Sequence, residues 1–109
     1  MNYNIKSIEV FEKQFKRLFK KYPSLKNDIR TLVEQLKINP EQGKALGKNC
    51  YKIRLAISSK QKGKSGGGRV IINITINKRS VYLLSIYDKS EKGNITDNEL
   101  SNLLQFIPE

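Results

Sequence analysis

Between Lys60 and Arg69 the chain reads KQKGKSGGGR, three lysines, an arginine and four glycines within ten residues. Cations among glycines suit a backbone that approaches a phosphate closely, because glycine carries no Cβ and tolerates unusual φ. A nucleotide-binding P-loop would need G-x-x-x-x-G-K-[ST] between a strand and a helix. Gly63-Lys64-Ser65 supplies the end of that pattern, but Ser58 stands where its first glycine belongs. The next residues are the β-branched run Val70, Ile71, Ile72, Ile74 and Ile76, a strand and not a helix. The segment is therefore a basic hairpin loop, with Lys60, Lys62 and Lys64 as its phosphate-gripping cations.

Composition narrows the chemistry. The 109 residues hold 21 Lys and Arg against 10 Asp and Glu, a net charge of +11, which favours a polyanionic partner. There is no histidine and one cysteine, Cys50, so a zinc centre, a His-based triad and an internal disulfide all lack their residues. Acid–base work falls to Lys, Tyr, Asp or Glu, and a site built from cations needs no metal and no small-molecule cofactor. No apolar run approaches the roughly 18 residues of a membrane span, and a single cysteine fits a reducing, cytoplasmic setting.

Periodicity gives the elements that must position these groups. Asn4 to Ile8 reads as a short strand. Phe11, Phe15, Leu18, Phe19 and Tyr22 form the apolar stripe of a first helix, which Pro23 ends. Ser24 is a fitting N-cap for a second helix with Leu25, Ile29, Leu32, Val33 and Leu36 inward, stopping before Asn39-Pro40. Glu41 to Asn49 reads as a loop. Tyr51–Ile57, Arg69–Ile76 and Val81–Tyr87 read as strands, the last two joined by a turn at Asn77–Ser80. Thr96-Asp97-Asn98-Glu99 is a capping box opening a last helix with Leu100, Leu103, Leu104 and Ile107 on one side. The expected fold over residues 1–109 is one α+β domain. An N-terminal helical hairpin packs on one face of a three- to four-stranded antiparallel sheet, followed by a C-terminal helix, and the other face is solvated.

Strand parity then sorts side chains by face. With Tyr51, Ile53 and Leu55 inward, Lys52 and Arg54 point the other way. With Val70, Ile72, Ile74 and Ile76 inward, Arg69, Ile71, Asn73 and Thr75 join them. Taking Tyr82, Leu84 and Ile86 as core adds Leu83, Ser85 and Tyr87. The open face thus gathers Lys52, Arg54, Arg69, Asn73 and Tyr87, cations beside an aromatic and an amide, a surface suited to a nucleic-acid backbone.

These blocks also carry a family likeness. Tyr51-Lys52-Ile53-Arg54, Gly63-Lys64-Ser65-Gly66-Gly67 with Arg69-Val70-Ile71, and Tyr82-Leu83-Leu84 with Ile86-Tyr87 and Lys89 come in order before the turn into the last helix. Together they resemble the HigB-type branch of the RelE/ParE toxin superfamily, over nearly the whole chain. The resemblance implies a type II toxin that enters the ribosomal A site, cuts mRNA and is neutralised by a cognate antitoxin. It implies Lys52, Arg54, Arg69, Tyr87 and Lys89 as active-face residues, with Lys64 a further candidate, and Asn73, placed on the same face by strand parity, joins them as an RNA-binding residue.

Cleavage by the RNA's own 2′-OH needs a base, an acid and charge stabilisation. Crowding by Arg54 and Arg69 would lower the pKa of Lys52 and fit it as base. The arginines would clamp phosphate oxygens, and Tyr87 would stack on a base or protonate the leaving oxygen. On this reading the Lys60–Gly68 loop grips an RNA backbone phosphate. Two rivals stay open: a ParE-type toxin that inhibits DNA gyrase by protein contact, and an inactive nucleic-acid-binding relative.

Overall fold

The computed structural model describes residues 2–60 and 63–108, the side chains of Lys64 and Ser65 excepted. Its elements are β1 (Asn4–Ser7), α1 (Glu9–Lys21), α2 (Leu25–Ile38), β2 (Lys44–Gly47), β3 (Cys50–Leu55), the single helical turn α3 (Gly63–Gly66), β4 (Gly68–Thr75), β5 (Ser80–Asp88) and α4 (Asp97–Leu104). The strands form one sheet in the order β1-β5-β4-β3-β2. The α+β arrangement of a helical hairpin, a sheet and a C-terminal helix is as the periodicity indicates. The sheet is larger and mixed, because β1 adds parallel to β5 at one edge and β2 adds antiparallel to β3 at the other.

The β2 strand lies inside the stretch expected to be a loop. Lys48 and Asn49 both take positive φ, 55° and 59°, and make a two-residue turn that folds β2 back on β3. The amide of Asn73 holds this turn, donating to the carbonyls of Lys48 at 3.1 Å and Asn49 at 3.5 Å.

α1 and α2 cover one face of the sheet. Their stripe of Phe11, Leu18, Leu25, Ile29, Leu32 and Leu36 is buried, as are Ile53, Leu55, Val70, Ile72 and Ile74 from the strands. Ser24 precedes α2 but does not cap it conventionally; its hydroxyl donates to Asp28 at 2.8 Å. α4 opens with the capping box: Thr96 Oγ1 accepts from the Glu99 amide at 3.1 Å, and Glu99 Oε1 accepts from the Thr96 amide at 3.0 Å. The helix ends at Leu104, ahead of Pro108.

Two expectations about the second face are corrected. It is not solvated: α4 and the segment before it lie against it, with Ser101 accepting from Lys48 Nζ at 2.6 Å and Asn94 from Lys52 Nζ at 3.4 Å. Ile71, Asn73, Ser85 and Tyr87 are buried there in consequence. Nor does the alternation run unbroken along β5. The pairing Ile71↔Ser85 is followed by Ile72↔Leu83, so β5 spends one extra residue at a bulge. Upstream of it the parity inverts, sending Val81 and Leu83 toward the helical hairpin and Tyr82 to the face of Asn73.

Gly67 and Gly68 pack closely. A Cβ on Gly67 would stand 2.1 Å from the Leu55 carbonyl oxygen, so only glycine lets the chain pass the end of β3. The Gly67 carbonyl accepts from the Lys89 amide at 3.1 Å, tying this segment to the end of β5. Lys60 is held as well. Its ammonium donates to Asp88 Oδ1 at 2.6 Å, the two side chains being 7% and 0% exposed. Tyr22 donates to Asp88 Oδ2 at 2.6 Å, while the amide and hydroxyl of Ser90 donate to Oδ1. Burial alone would raise the Asp88 pKa, but the hydrogen bonds from Lys60, Tyr22 and Ser90 outweigh it and hold the carboxyl well below the usual range.

Replacing Asp88 leaves the Lys60 ammonium buried without its counter-ion. Asp88→Asn is expected to lower unfolding free energy by about 3–5 kcal/mol at pH 7 in urea titrations. Because the folded pKa lies below the unfolded one, the Asp88 contribution is complete above the unfolded value of about 4 and declines as pH falls toward the folded one. The variant should lose that part of the acid dependence of the wild type.

Candidate active site

Two cross-strand rows floor the site. Lys44 of β2 stands opposite Lys52 of β3, and Arg54 of β3 stands opposite Arg69 of β4, with Tyr87 of β5 next in line. Residues paired this way share a face with Cβ atoms about 5 Å apart, so the ladder forces like charges together. Lys89 enters from just beyond the end of β5. These five cations surround a groove of about 600 Å³, with Gln42, Gly43, Ile53 and Gly93 completing its wall and no carboxylate among its described lining residues.

Gly43 makes the wall possible. Its φ is +84°, and a Cβ there would lie 2.2 Å from the Lys52 carbonyl oxygen. The chain before β2 can therefore cross β3 directly beside Lys52.

Electrostatics follow from this crowding. The Lys52 ammonium is displaced below the usual lysine value, first by desolvation and then by Lys44, Arg69, Arg54 and Lys89. The direction is the one a base needs, and the crowding read from the sequence contributes to it. Arg69 is 5% exposed and donates to the Gly68 carbonyl at 2.9 Å, which fixes the guanidinium at the groove floor. Arg54 is exposed on the rim and forms no side-chain ion pair or hydrogen bond among the described residues.

The residues singled out from the sequence thus divide. Lys52, Arg54, Arg69 and Lys89 come together around one groove. Tyr87 does not line it: it is buried behind Arg69, and its hydroxyl has no hydrogen-bond partner among the described residues. Burial raises the pKa of this phenol against the opposing pull of Arg69. Asn73 is also withdrawn, its amide spent on the β2–β3 turn and its oxygen accepting from Thr75 at 3.0 Å. Lys60 is locked in the ion pair with Asp88 and cannot serve as a phosphate-gripping cation. Lys62 lies outside the described residues, as does the side chain of Lys64. Sequence reading misses Lys44, because residues 41–49 read as loop; the signal available is a short stretch bounded by Gly43 and Gly47 just ahead of a strand.

Comparison with known proteins gives this groove its setting. The family described as RelE toxin of the RelE/RelB toxin–antitoxin system matches residues 8–107. The chain belongs to the RelE toxin family. Among solved structures, an arginine double mutant of E. coli toxin RelE in the free state aligns with this RelE-family chain at a TM-score of 0.66 and 20% identity, covering 99% of this chain and 100% of that one. A chain of the intact E. coli RelBE toxin–antitoxin complex aligns at 0.52 and 24% identity, over 79% and 95%. The same RelE mutant bound to an antitoxin RelBc peptide aligns at 0.51 and 20% identity, over 99% and 100%. At such identities the likeness is one of fold, and it spans the toxin from end to end. The superfamily resemblance carried by the strand motifs is borne out. No helix among the described residues is long and apolar enough to cross a membrane.

The source of the Lys52 shift can be checked directly. Lys44→Ala removes the strongest of the four repulsions without touching β3 or β4, so the Lys52 pKa should rise. NMR titration of its side-chain ammonium in wild type and variant is the measurement, with wild-type Lys52 titrating below the ordinary lysine value.

Proposed function

We propose that this toxin is an endoribonuclease that cleaves translated mRNA at the ribosome. The observation that carries the reading is the groove with five cations, no carboxylate among the described residues lining it, and one lysine whose pKa is lowered. Membership of the RelE family supports it over a gyrase-directed role.

The residues suggest a division of labour. Lys52 in its neutral form takes the proton of the 2′-OH, and the resulting oxygen attacks the adjacent phosphorus. Arg54 and Arg69 stabilise the charge that develops on the phosphoryl oxygens, a task their planar donors suit. The bond to the 5′-oxygen breaks, and the Lys89 ammonium donates the proton that this leaving group needs. The products are a 2′,3′-cyclic phosphate and a 5′-hydroxyl, with Lys52 left protonated and Lys89 neutral. Tyr87 serves as the packed support behind Arg69 and not as the proton donor.

A cognate antitoxin is the expected partner, as the RelBE and RelE–RelBc structures are for their own toxin. An acidic or amphipathic segment would offset the charge of the groove and its surroundings, so toxin–antitoxin affinity should fall as salt rises.

The decisive experiment is inducible expression in bacteria with mRNA 5′ ends mapped for wild type and Arg69→Ala. Growth arrest with new cuts inside translated frames is expected, reduced at least about 100-fold in the variant. Arrest with intact mRNA would transfer the function to a protein target, and wild-type cutting by a folded Arg69→Ala would remove this groove from the chemistry.

A further inference from the structure

A second hollow of about 320 Å³ adjoins the groove, between α2 and β3. Gln42, Ile53 and Arg54 belong to both, so they form the saddle between them. The two sides differ chemically. The groove is cationic, whereas the hollow has an aliphatic wall of Leu32 and Leu55, the side-chain amide of Gln35, and the carboxylate of Asp28.

Asp28 is already committed. Its oxygens accept from the Ser58 amide at 3.1 Å, the Ser58 hydroxyl at 2.7 Å and the Ser24 hydroxyl at 2.8 Å. An anion with most of its acceptor positions occupied repels phosphate but does not exclude a neutral planar group. At this size the hollow sits near the lower end of roughly 300–1,000 Å³ typical for small-molecule sites.

We propose that this hollow is a subsite for one unpaired nucleobase of the RNA strand whose phosphate lies in the groove, and that it favours cytosine over uracil. The proposal rests on the phosphate-binding reading of the groove. Arg54 supplies a platform: its exposed guanidinium stands on the saddle without an internal partner among the described residues, and a base can stack on that plane. Gln42 supplies selectivity. One of its two Nε2 protons is spent on the Asn39 carbonyl at 2.7 Å, which settles the amide orientation, while Oε1 accepts from no donor among the described residues and is the group in need of a partner. An acceptor at that point welcomes the exocyclic amino group of cytosine and opposes the carbonyl that uracil carries in its place.

NMR titrations with inorganic phosphate, cytidine 5′-monophosphate and uridine 5′-monophosphate test this, using backbone amides of Lys52 and Arg69 to report the groove and those of Thr31 and Ala56 to report the hollow. Phosphate should move only the first pair. The cytidine nucleotide should move both, binding about three- to tenfold more tightly than the uridine nucleotide. Gln42→Leu should remove that difference. No response of Thr31 and Ala56 to either nucleotide, or equal affinity for both, overturns the subsite. Failure of phosphate to move Lys52 and Arg69 would instead count against the groove as a phosphate site.

Discussion

Arg54 and Arg69 face each other across the β3–β4 ladder, and Lys44 and Lys52 do the same across β2–β3. Like charges directly opposite destabilise a sheet, so no local preference of these side chains brings them together. The juxtaposition is imposed by the backbone register and sustained by the opposite face, where Ile53, Val70, Ile72 and Ile86 are buried. Each strand therefore uses one set of residues to stabilise the sheet and the alternate set to concentrate charge. The rest of the site depends on that arrangement, since the Lys52 pKa, lowered first by desolvation, is lowered further by the four other cations held around it.

Beneath the groove a second electrostatic unit works the other way. Asp88 gathers Tyr22 from the end of α1, Lys60 from the turn after β3 and Ser90 from the segment after β5. Three parts of the chain far apart in sequence are joined at one buried carboxylate, next to the residue that brings Lys89 to the groove. Gly67 reinforces the same junction by accepting from the Lys89 amide. The basic, glycine-rich stretch is thus anchored at both of its ends, and Gly67 and Gly68 serve close backbone packing.

How much of this is legible in the sequence depends on the range of each signal. Helix stripes, the capping box at Thr96 and Glu99, and the alternation in β3 and β4 are local patterns, and they place Lys52, Arg54 and Arg69 on one face correctly. The bulge in β5 is hidden, because Tyr82-Leu83-Leu84 is apolar throughout and offers no alternation to show a slipped register. β2 is obscured because its turn is made by Lys48 and Asn49 in place of an Asn-Gly pair, and Lys44 is lost with it. Lys60 and Asn73 look like ligand-binding groups because sequence reports a polar side chain but not its partner, here Asp88 and the β2–β3 turn. Tyr87 is misplaced for a related reason: parity gives a face, and only the position of α4 decides whether that face is open.

The parallel edge carries a consequence for how the molecule comes into being. β1 pairs with residues 80–83, and β5 is then flanked by the first strand of the chain and by β4. Joining segments that distant incurs a large loop-closure entropy before any contact repays it, which slows assembly. During synthesis the first strand must wait until most of the chain has been made before its partner exists. The groove, built from β2 to β5, completes in that same late interval, so its cations are brought together only as the fold closes.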